Sequence, residues 1–312
     1  MKNLKVVFMG TPDFSVPVLN MLIDNCQVIG VVTQPDKPVG RNGKLSISPV
    51  KSVALKNNIP IFQPIKIRNE YNDILALNPD IIITCAYGQI IPEEILDYPK
   101  YGSINVHASL LPKHRGGAPI HRAIIEGDNK SGVTIMYMGM GMDSGDIISQ
   151  REVDILDSDT AESLFNKLSI LGSSLLLDTL PSIIDGSAKK IKQNNEEATY
   201  SYNIKPEDEI IDFGKTRREV FNQIRGLNSW PVAYTYLDGK RLKVWTSRMG
   251  ESNIKCDNGT IINIYKDGIG VQVKDGEIIL TEIQPESKKK MLTSDYLNGL
   301  NDKNVLLNKK LG

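Results

Sequence analysis

Apolar and polar positions alternate in blocks along the first 190 residues. An apolar run over 4–9 ends in the turn Gly10-Thr11-Pro12-Asp13. An amphipathic stretch over 14–25 and a second apolar run over 28–33 follow, which predicts a βαβ unit. The pattern recurs downstream: a helix over 47–58, a buried strand over 80–85, a short helix over 92–96, a strand over 103–106, a helix over 118–126 and a strand over 133–138. A long helix over 161–180 then carries Leu164, Leu168, Leu171 and Leu175 at helical spacing. Alternation of this kind predicts an α/β domain with an open, mostly parallel sheet and helices on both faces.

Periodicity fades over 189–208, where Asn194, Asn195, Glu196 and Glu197 make the chain polar, as in an interdomain linker. Beyond it one helix over 216–226 precedes short β-prone runs over 233–237, 242–246, 261–265, 270–273 and 278–283, separated by Asp-Gly turns. This predicts a small antiparallel barrel of OB-like type. The expected organisation is a first domain over 1–190, a linker over 191–208 and a C-terminal β-barrel domain over 209–312.

Composition narrows the function classes. The 312 residues are 24% charged and 40% hydrophobic, with 37 Lys+Arg against 37 Asp+Glu, which excludes a disordered chain, a coiled coil and a polybasic tail. Charge is unevenly spread: residues 204–312 hold 18 basic against 15 acidic side chains, a net of +3, leaving −3 for the rest. Lys288, Lys289 and Lys290 concentrate that charge, and a solvated surface run explains them as well as a polyanion contact does. Cys26, Cys85 and Cys256 are scattered with no CxxC pair, which argues against a disulfide framework and for a reducing compartment. The N-terminal apolar run is too short for a signal peptide, and no stretch reads as a membrane span, so a cytoplasmic protein is expected.

The first βα turn has one glycine, Gly10, and lacks the GxGxxG that admits a pyrophosphate, which disfavours a dinucleotide site. Ligands of such sheets lie beyond the carboxyl ends of the strands. Two segments point there. The strand over 103–106 runs into a Gly/Pro-rich loop, and its Asn105 and His107, two apart, face the same side. Residues 138–146 form a glycine-spaced loop bearing Asp143. An amide, an imidazole and a carboxylate on converging loops suit an oxyanion site for acyl or formyl transfer. On spacing alone, a structural His107 and an Asp143 that merely serves a turn are the favoured reading. His107, His114 and His121 are separated by Pro112, Gly116, Gly117 and Pro119, so no helix stacks them and no metal site is expected. No GxSxG elbow is present and Ser109 has no paired base, which disfavours a covalent acyl-enzyme.

These residues make the chain resemble the methionyl-tRNA formyltransferase family from end to end. Phe8-Met9-Gly10-Thr11-Pro12-Asp13-Phe14 is similar to its first strand and turn, and Thr33-Gln34-Pro35-Asp36-Lys37-Pro38 through Arg41 to its inserted loop. Ala86-Tyr87-Gly88-Gln89-Ile90-Ile91-Pro92 resembles its folate-pocket segment. The stretch from Asn105 and His107 to Pro112, Arg115-Gly116-Gly117 and then Asp143-Ser144-Gly145-Asp146 resembles its signature, with Ala108 where the family often carries glycine. Arg225-Gly226-Leu227-Asn228-Ser229-Trp230-Pro231 and Lys288-Lys289-Lys290-Met291 resemble the family's C-terminal domain.

The resemblance implies a Rossmann-like formyltransferase domain and a formyl group passed from 10-formyltetrahydrofolate to the α-amino group of initiator methionyl-tRNA in translation initiation. It implies that Asn105 and a charged His107 stabilise the oxyanion, while Asp143 supports the imidazole and helps proton transfer. It also implies folate held by Ser109, Leu110, Leu111 and Pro112 and by the backbone of Gln89, Ile90 and Ile91. The partner is tRNA, the enzyme a monomer without metal. The segment over 34–48, long for a strand-to-helix connection and carrying Lys37, Arg41 and Lys44 against only Asp36, is the expected discriminator of initiator tRNA, with Lys288, Lys289 and Lys290 on its backbone. A small-molecule formyltransferase acting on glycinamide ribonucleotide or a sugar nucleotide, and a silent folate- or tRNA-binding module, are the readings it competes with.

Overall fold

A computed structural model describes residues 1–39, 44–252 and 254–312, so Arg41 and the side chain of Lys44 lie outside the described part. The chain divides into two compact units. The first comprises Met1–Pro119, Ser131–Val153 and Phe165–Tyr202, the second Ile120–Lys130, Asp154–Leu164 and Asn203–Gly312.

The first unit is built on β1 (Lys5–Gly10), β2 (Gln27–Val32), the hairpin strands β3 (Lys37–Val39) and β4 (Lys44–Ser46), β5 (Ile61–Phe62), β6 (Ile81–Cys85), β7 (Ser103–His107), β8 (Lys130–Tyr137) and β9 (Ile147–Asp154). Helices α1 (Val16–Asn25), α2 (Pro49–Lys56), α3 (Asn72–Leu75) and α4 (Glu93–Leu96) connect the early strands. Helix α6 (Ala161–Asp185) follows β9, and α5 (Pro119–Glu126), which follows β7, belongs from Ile120 onward to the second unit. The main sheet has the order β5-β2-β1-β6-β7-β8-β9. Its first five strands are parallel, and β8 is antiparallel to β7. Every residue of β6 is buried, as is β1 from Val6 onward, which is why both read as continuous apolar runs. The Ser48 hydroxyl accepts from the Lys51 N–H to cap α2, with Pro49 in its first turn.

Several features depart from the sequence reading. Strand β9 was not legible, because beyond Ile147 and Ile148 its exposure alternates as on a half-covered strand and its exposed positions are polar. Helix α6 continues past Pro181 to Asp185 and is long and apolar enough to span a membrane by length and composition. Leu164, Leu168, Leu175, Leu176 and Leu180 are nevertheless buried, and Ser169 and Ser173 donate to the carbonyls of Phe14 and Pro17. It serves as a core helix. The segment over 34–48 is not irregular throughout: Lys37 pairs with Ser46 and Pro38 with Leu45. At its base Lys51 Nζ lies 2.5 Å from Asp36 Oδ2, and Gln63 donates to Asp36 Oδ1 at 2.8 Å. Those hydrogen bonds hold the Asp36 carboxyl below its usual range. The anchor is therefore intact at neutral pH and is lost only as the pH falls below that range. Finally, 191–202 belongs to the first unit, bonded to its loops, and is not a free connection.

The second unit joins α7 (Arg217–Gly226), α8 (Thr293–Asn298) and six antiparallel strands, β10 (Tyr234–Leu237), β11 (Lys240–Gly250), β12 (Ile261–Ile264), β13 (Ile269–Val273), β14 (Gly276–Pro285) and β15 (Met291–Leu292). Their order is β10-β11-β14-β13-β12, with β15 on β14. Register shifts near Thr246 in the long β11–β14 pair mark bulges, which bend strands and curl the sheet into a half-barrel. Thr216 and Glu219 form a capping box that starts α7. Val220, Ile224, Leu242, Val244, Ile278 and Leu280 are among the buried residues of its core. The segments over 120–130 and 154–164 join this unit, not the first, through polar ties. Arg122 pairs with Asp208 at 2.7 Å, and Arg225 donates to the carbonyls of Leu156 and Asp159 at 2.8 and 3.1 Å. Arg225, read as part of a motif, is thus a buried structural cation.

Candidate active site

Strands β6 and β7 are neighbours in the parallel part of the sheet, with Thr84 opposite Asn105. Their carboxyl ends feed the two loops on which a ligand edge and a reacting group can meet. Asn105 and His107 lie on one side of β7, as the alternation of strand side chains requires. The Thr84 hydroxyl donates to Asn105 Oδ1 at 2.9 Å, which turns the amide so that Nδ2 points to Asp143 Oδ1, 3.4 Å away. His107 is 6% exposed, and its Nε2 is 3.0 Å from the carbonyl of His114. A carbonyl only accepts, so Nε2 carries the proton and Nδ1 is the nitrogen facing the site. Nδ1 lies 3.7 Å from Asp143 Oδ2. The structure therefore brings Asn105, His107 and Asp143 together, although 36 residues separate the last two in sequence.

Asp143 reaches this position from a strained loop. Its φ of +45° is left-handed, a region that Asp tolerates better than most residues. Its Oδ2 accepts from the Gly116 N–H at 2.8 Å. Gly116 has φ +113°, and a Cβ there would sit 2.9 Å from the Ser201 carbonyl, so no side chain fits. At Gly145 a Cβ would lie 1.9 Å from the Tyr137 carbonyl, which fixes the other end of the loop.

The remaining predicted residues separate into two groups. In the turn over 109–112 the polar groups are largely used internally: the Ser109 hydroxyl donates to the Lys113 carbonyl, Thr134 donates to the Ser109 carbonyl, and Gln150 donates to that of Leu111. Leu111 is buried and Leu110 half-buried. This turn, with Pro112, braces His107 and offers a ligand mainly apolar surface. The loop over 86–91 is different. Among the described residues nothing accepts from the backbone N–H groups of Gln89, Ile90 and Ile91, and Ile90 is 89% exposed. The Gln89 side chain is engaged, accepting from Ile67 N and donating to the Pro64 carbonyl, while Ile91 is buried. Thr11 and Gln34 both donate to the Tyr87 carbonyl at 3.1 Å, so the Gly-Thr-Pro-Asp turn pins this loop and leaves its edge open.

Thr84 and Gln193 are the residues that sequence reasoning missed, and Gly116 entered it only as part of a signature. Thr84 had a signal, a hydroxyl at the carboxyl end of an otherwise apolar strand; Gln193 had none inside its polar run. Burial pushes the Cys85 thiol up to about 12, so it stays protonated at neutral pH and supplies no nucleophile. Among the described residues no group of three or more His, Cys, Asp or Glu side chains could hold a metal. His121 lies in the second unit against Trp230, where burial lowers its pKa. There, too, Lys288, Lys289 and Lys290 are exposed at the turn after β14. Lys290 pairs with Glu282 at 3.0 Å and lies over the Trp245 ring at 4.5 Å.

The formyl transferase family model matches residues 3–180, and the formyl transferase C-terminal domain model matches 203–301. The chain is 55% identical to a protein of Bacillus cereus (strain B4264) named methionyl-tRNA formyltransferase, over 95% of this chain and 96% of that one. A sugar 3N-formyl transferase, WlaRD, solved in the presence of dTDP and 5-N-formyl-THF, superposes with a TM-score of 0.67. It is 25% identical and covers 93% of this chain and 100% of its own. A methionyl-tRNA formyltransferase from Clostridium thermocellum, 20% identical, shares the fold with a TM-score of 0.56 over 88% of this chain and 100% of that one.

Proposed function

We propose, for a chain that belongs to the methionyl-tRNA formyltransferase family, that formyl transfer to methionyl-tRNA is carried by Asn105, His107 and Asp143. The convergence of these three side chains within 3.7 Å at the end of β7 carries the assignment. The amino nitrogen of the methionyl ester attacks the formyl carbon of 10-formyltetrahydrofolate, and the carbonyl electron pair moves onto oxygen. Asn105 Nδ2 and His107 Nδ1, the latter protonated, donate to that oxyanion. Asp143 balances the charge on the ring and relays the proton released by the amine to folate N10. Collapse then breaks the C–N10 bond and gives N-formylmethionyl-tRNA and tetrahydrofolate.

The unpaired N–H groups of Gln89, Ile90 and Ile91 suit the polar edge of a pterin ring, and the turn over 109–112 supplies apolar packing beside it. The co-substrate is therefore held by backbone on one side and by Leu110, Leu111 and Pro112 on the other. The reaction is cytoplasmic, the enzyme a monomer, and its acceptor the initiator tRNA that serves translation initiation. The test is a formyl-transfer assay with initiator methionyl-tRNA, glycinamide ribonucleotide and a dTDP-amino sugar as alternative acceptors. Turnover with the tRNA alone is expected. Faster turnover with either small acceptor would overturn the assignment.

Among the described residues Lys288 and Lys289 are the exposed cations of their cluster without a carboxylate partner, whereas Lys290 is held by Glu282 and Trp245. Replacing Lys288 and Lys289 with alanine is expected to flatten the slope of log Kd for tRNA against log salt by about one to two. Adding Lys290→Ala should change the slope little. Titrations over a salt series check this, and an unchanged slope in the double variant would make the cluster solvated surface.

A further inference from the structure

The polar stretch over 191–201 is hydrogen-bonded along its length to the two loops that carry the site. Ile191 exchanges backbone hydrogen bonds with Ile147 at 2.8 and 2.9 Å. Gln193 Nε2 donates to the carbonyls of Asp143 and Gly145, both at 2.8 Å. Its Oε1 accepts from Arg115 Nε and Nη2 at 3.0 and 2.8 Å, and Nη2 also donates to Asn195 Oδ1 at 2.9 Å. Further along, the Thr199 carbonyl accepts from Arg115 N, and Thr199 Oγ1 accepts from His114 N, both at 2.8 Å. The Ser201 hydroxyl lies 2.7 Å from His114 Nδ1, and the carbonyl of that histidine accepts from His107.

Arg115 is 3% exposed, and among the described residues no carboxylate pairs with it. Its charge is met by amide oxygens instead. Burying a cation on neutral dipoles is costly, and a side-chain amide that satisfies two carbonyls and two guanidinium N–H groups at once is fully committed. The committed carbonyls are those flanking Ser144, in the loop whose Asp143 holds a left-handed φ. Without Gln193, two main-chain carbonyls of that loop would lose their donor, and the carboxylate would be left with the Gly116 N–H as its main tether.

We infer that Gln193, backed by Arg115, is a positioning residue that holds the Asp143 loop so that the carboxylate stands at His107 and Asn105. The inference rests on the catalytic reading of Asp143. It predicts a loss in the chemical step and not in folate binding, since among the described residues the Gln193 side chain bonds to Arg115, Asp143 and Gly145 and to no residue over 86–91 or 109–112.

The test uses the full chain with methionyl-tRNA and 10-formyltetrahydrofolate. Gln193→Glu is nearly isosteric and keeps an acceptor for Arg115, but sets an oxygen against the two carbonyls. Gln193→Ala removes both functions. Each is expected to lower kcat roughly tenfold or more, because a small misplacement of a reacting group is costly, with KM for the folate donor unchanged and the melting temperature of Gln193→Glu near that of the parent. If Gln193 only braced Arg115, Gln193→Glu would turn over like the parent, and that result would overturn the inference. In an Asp143→Ala background, Gln193→Glu should cost nothing further, since both act through one group. A full additional loss would sink the positioning role. Parental turnover in Asp143→Ala alone would instead sink the catalytic reading, and the inference with it.

Discussion

Alanine at Asn105, His107 or Asp143 is expected to lower kcat by about a hundredfold or more, the usual cost of removing one preorganised donor or its charge partner. At roughly 1.4 kcal/mol per tenfold, each loss is about 2.8 kcal/mol of transition-state stabilisation. Three features of the geometry set this scale. Asn105 is turned towards the site by the Thr84 hydroxyl, His107 presents Nδ1 because the His114 carbonyl takes Nε2, and Asp143 is tethered by the Gly116 N–H. Because the groups act as one unit, the double variants should lose far less than the product of the singles. Single-turnover formylation, with circular dichroism to show a folded chain, checks the expectation. Near-parental turnover in folded Asp143→Ala would remove that residue from the mechanism.

Arg41→Ala should strongly reduce formylation of initiator methionyl-tRNA at subsaturating tRNA and leave folate affinity intact. Arg41 lies outside the described residues, so this expectation rests on the sequence and on the base of the segment that carries it. That base is tied in place: β3 and β4 pair, and Lys51 and Gln63 take up the carboxylate of Asp36. Asp36 is the one acid of the segment, and its neutralisation by Lys51 leaves the charge of Lys37, Arg41 and Lys44 unopposed within it. A segment carrying three cations above a paired base suits insertion at the end of an acceptor stem. Opening a weak or mismatched terminal pair costs little, whereas a fully paired elongator stem demands about a few kcal/mol more. Equal initial rates for the parent and Arg41→Ala on initiator methionyl-tRNA would dismiss the wedge. A matched loss on elongator methionyl-tRNA would reduce Arg41 to a phosphate contact.

By itself the sequence determined the strands and helices whose physics is local. The central strands β1 and β6 are buried on both faces, so their apolar runs are unmistakable, and the 3.6-residue leucine spacing of α6 is equally explicit. It also placed Asn105 and His107 on one side of a strand, since alternation needs no tertiary information. Tertiary structure alone decided the rest. The half-covered strand β9 carries polar residues on its exposed side, so its pattern matches a loop. The polar run over 191–201 looked like a linker because its hydrogen-bonding groups are satisfied by distant loops, and sequence cannot display partners. For the same reason 120–130 and 154–164 read as parts of the first domain, although Arg122 and Arg225 tie them into the second unit. The site itself shows the division most plainly: residue types and strand spacing nominated Asn105, His107 and Asp143. Which nitrogen of His107 faces the site, how Asp143 is held there and why Gly116 admits no side chain all depend on atoms brought within 3 to 4 Å only by the fold.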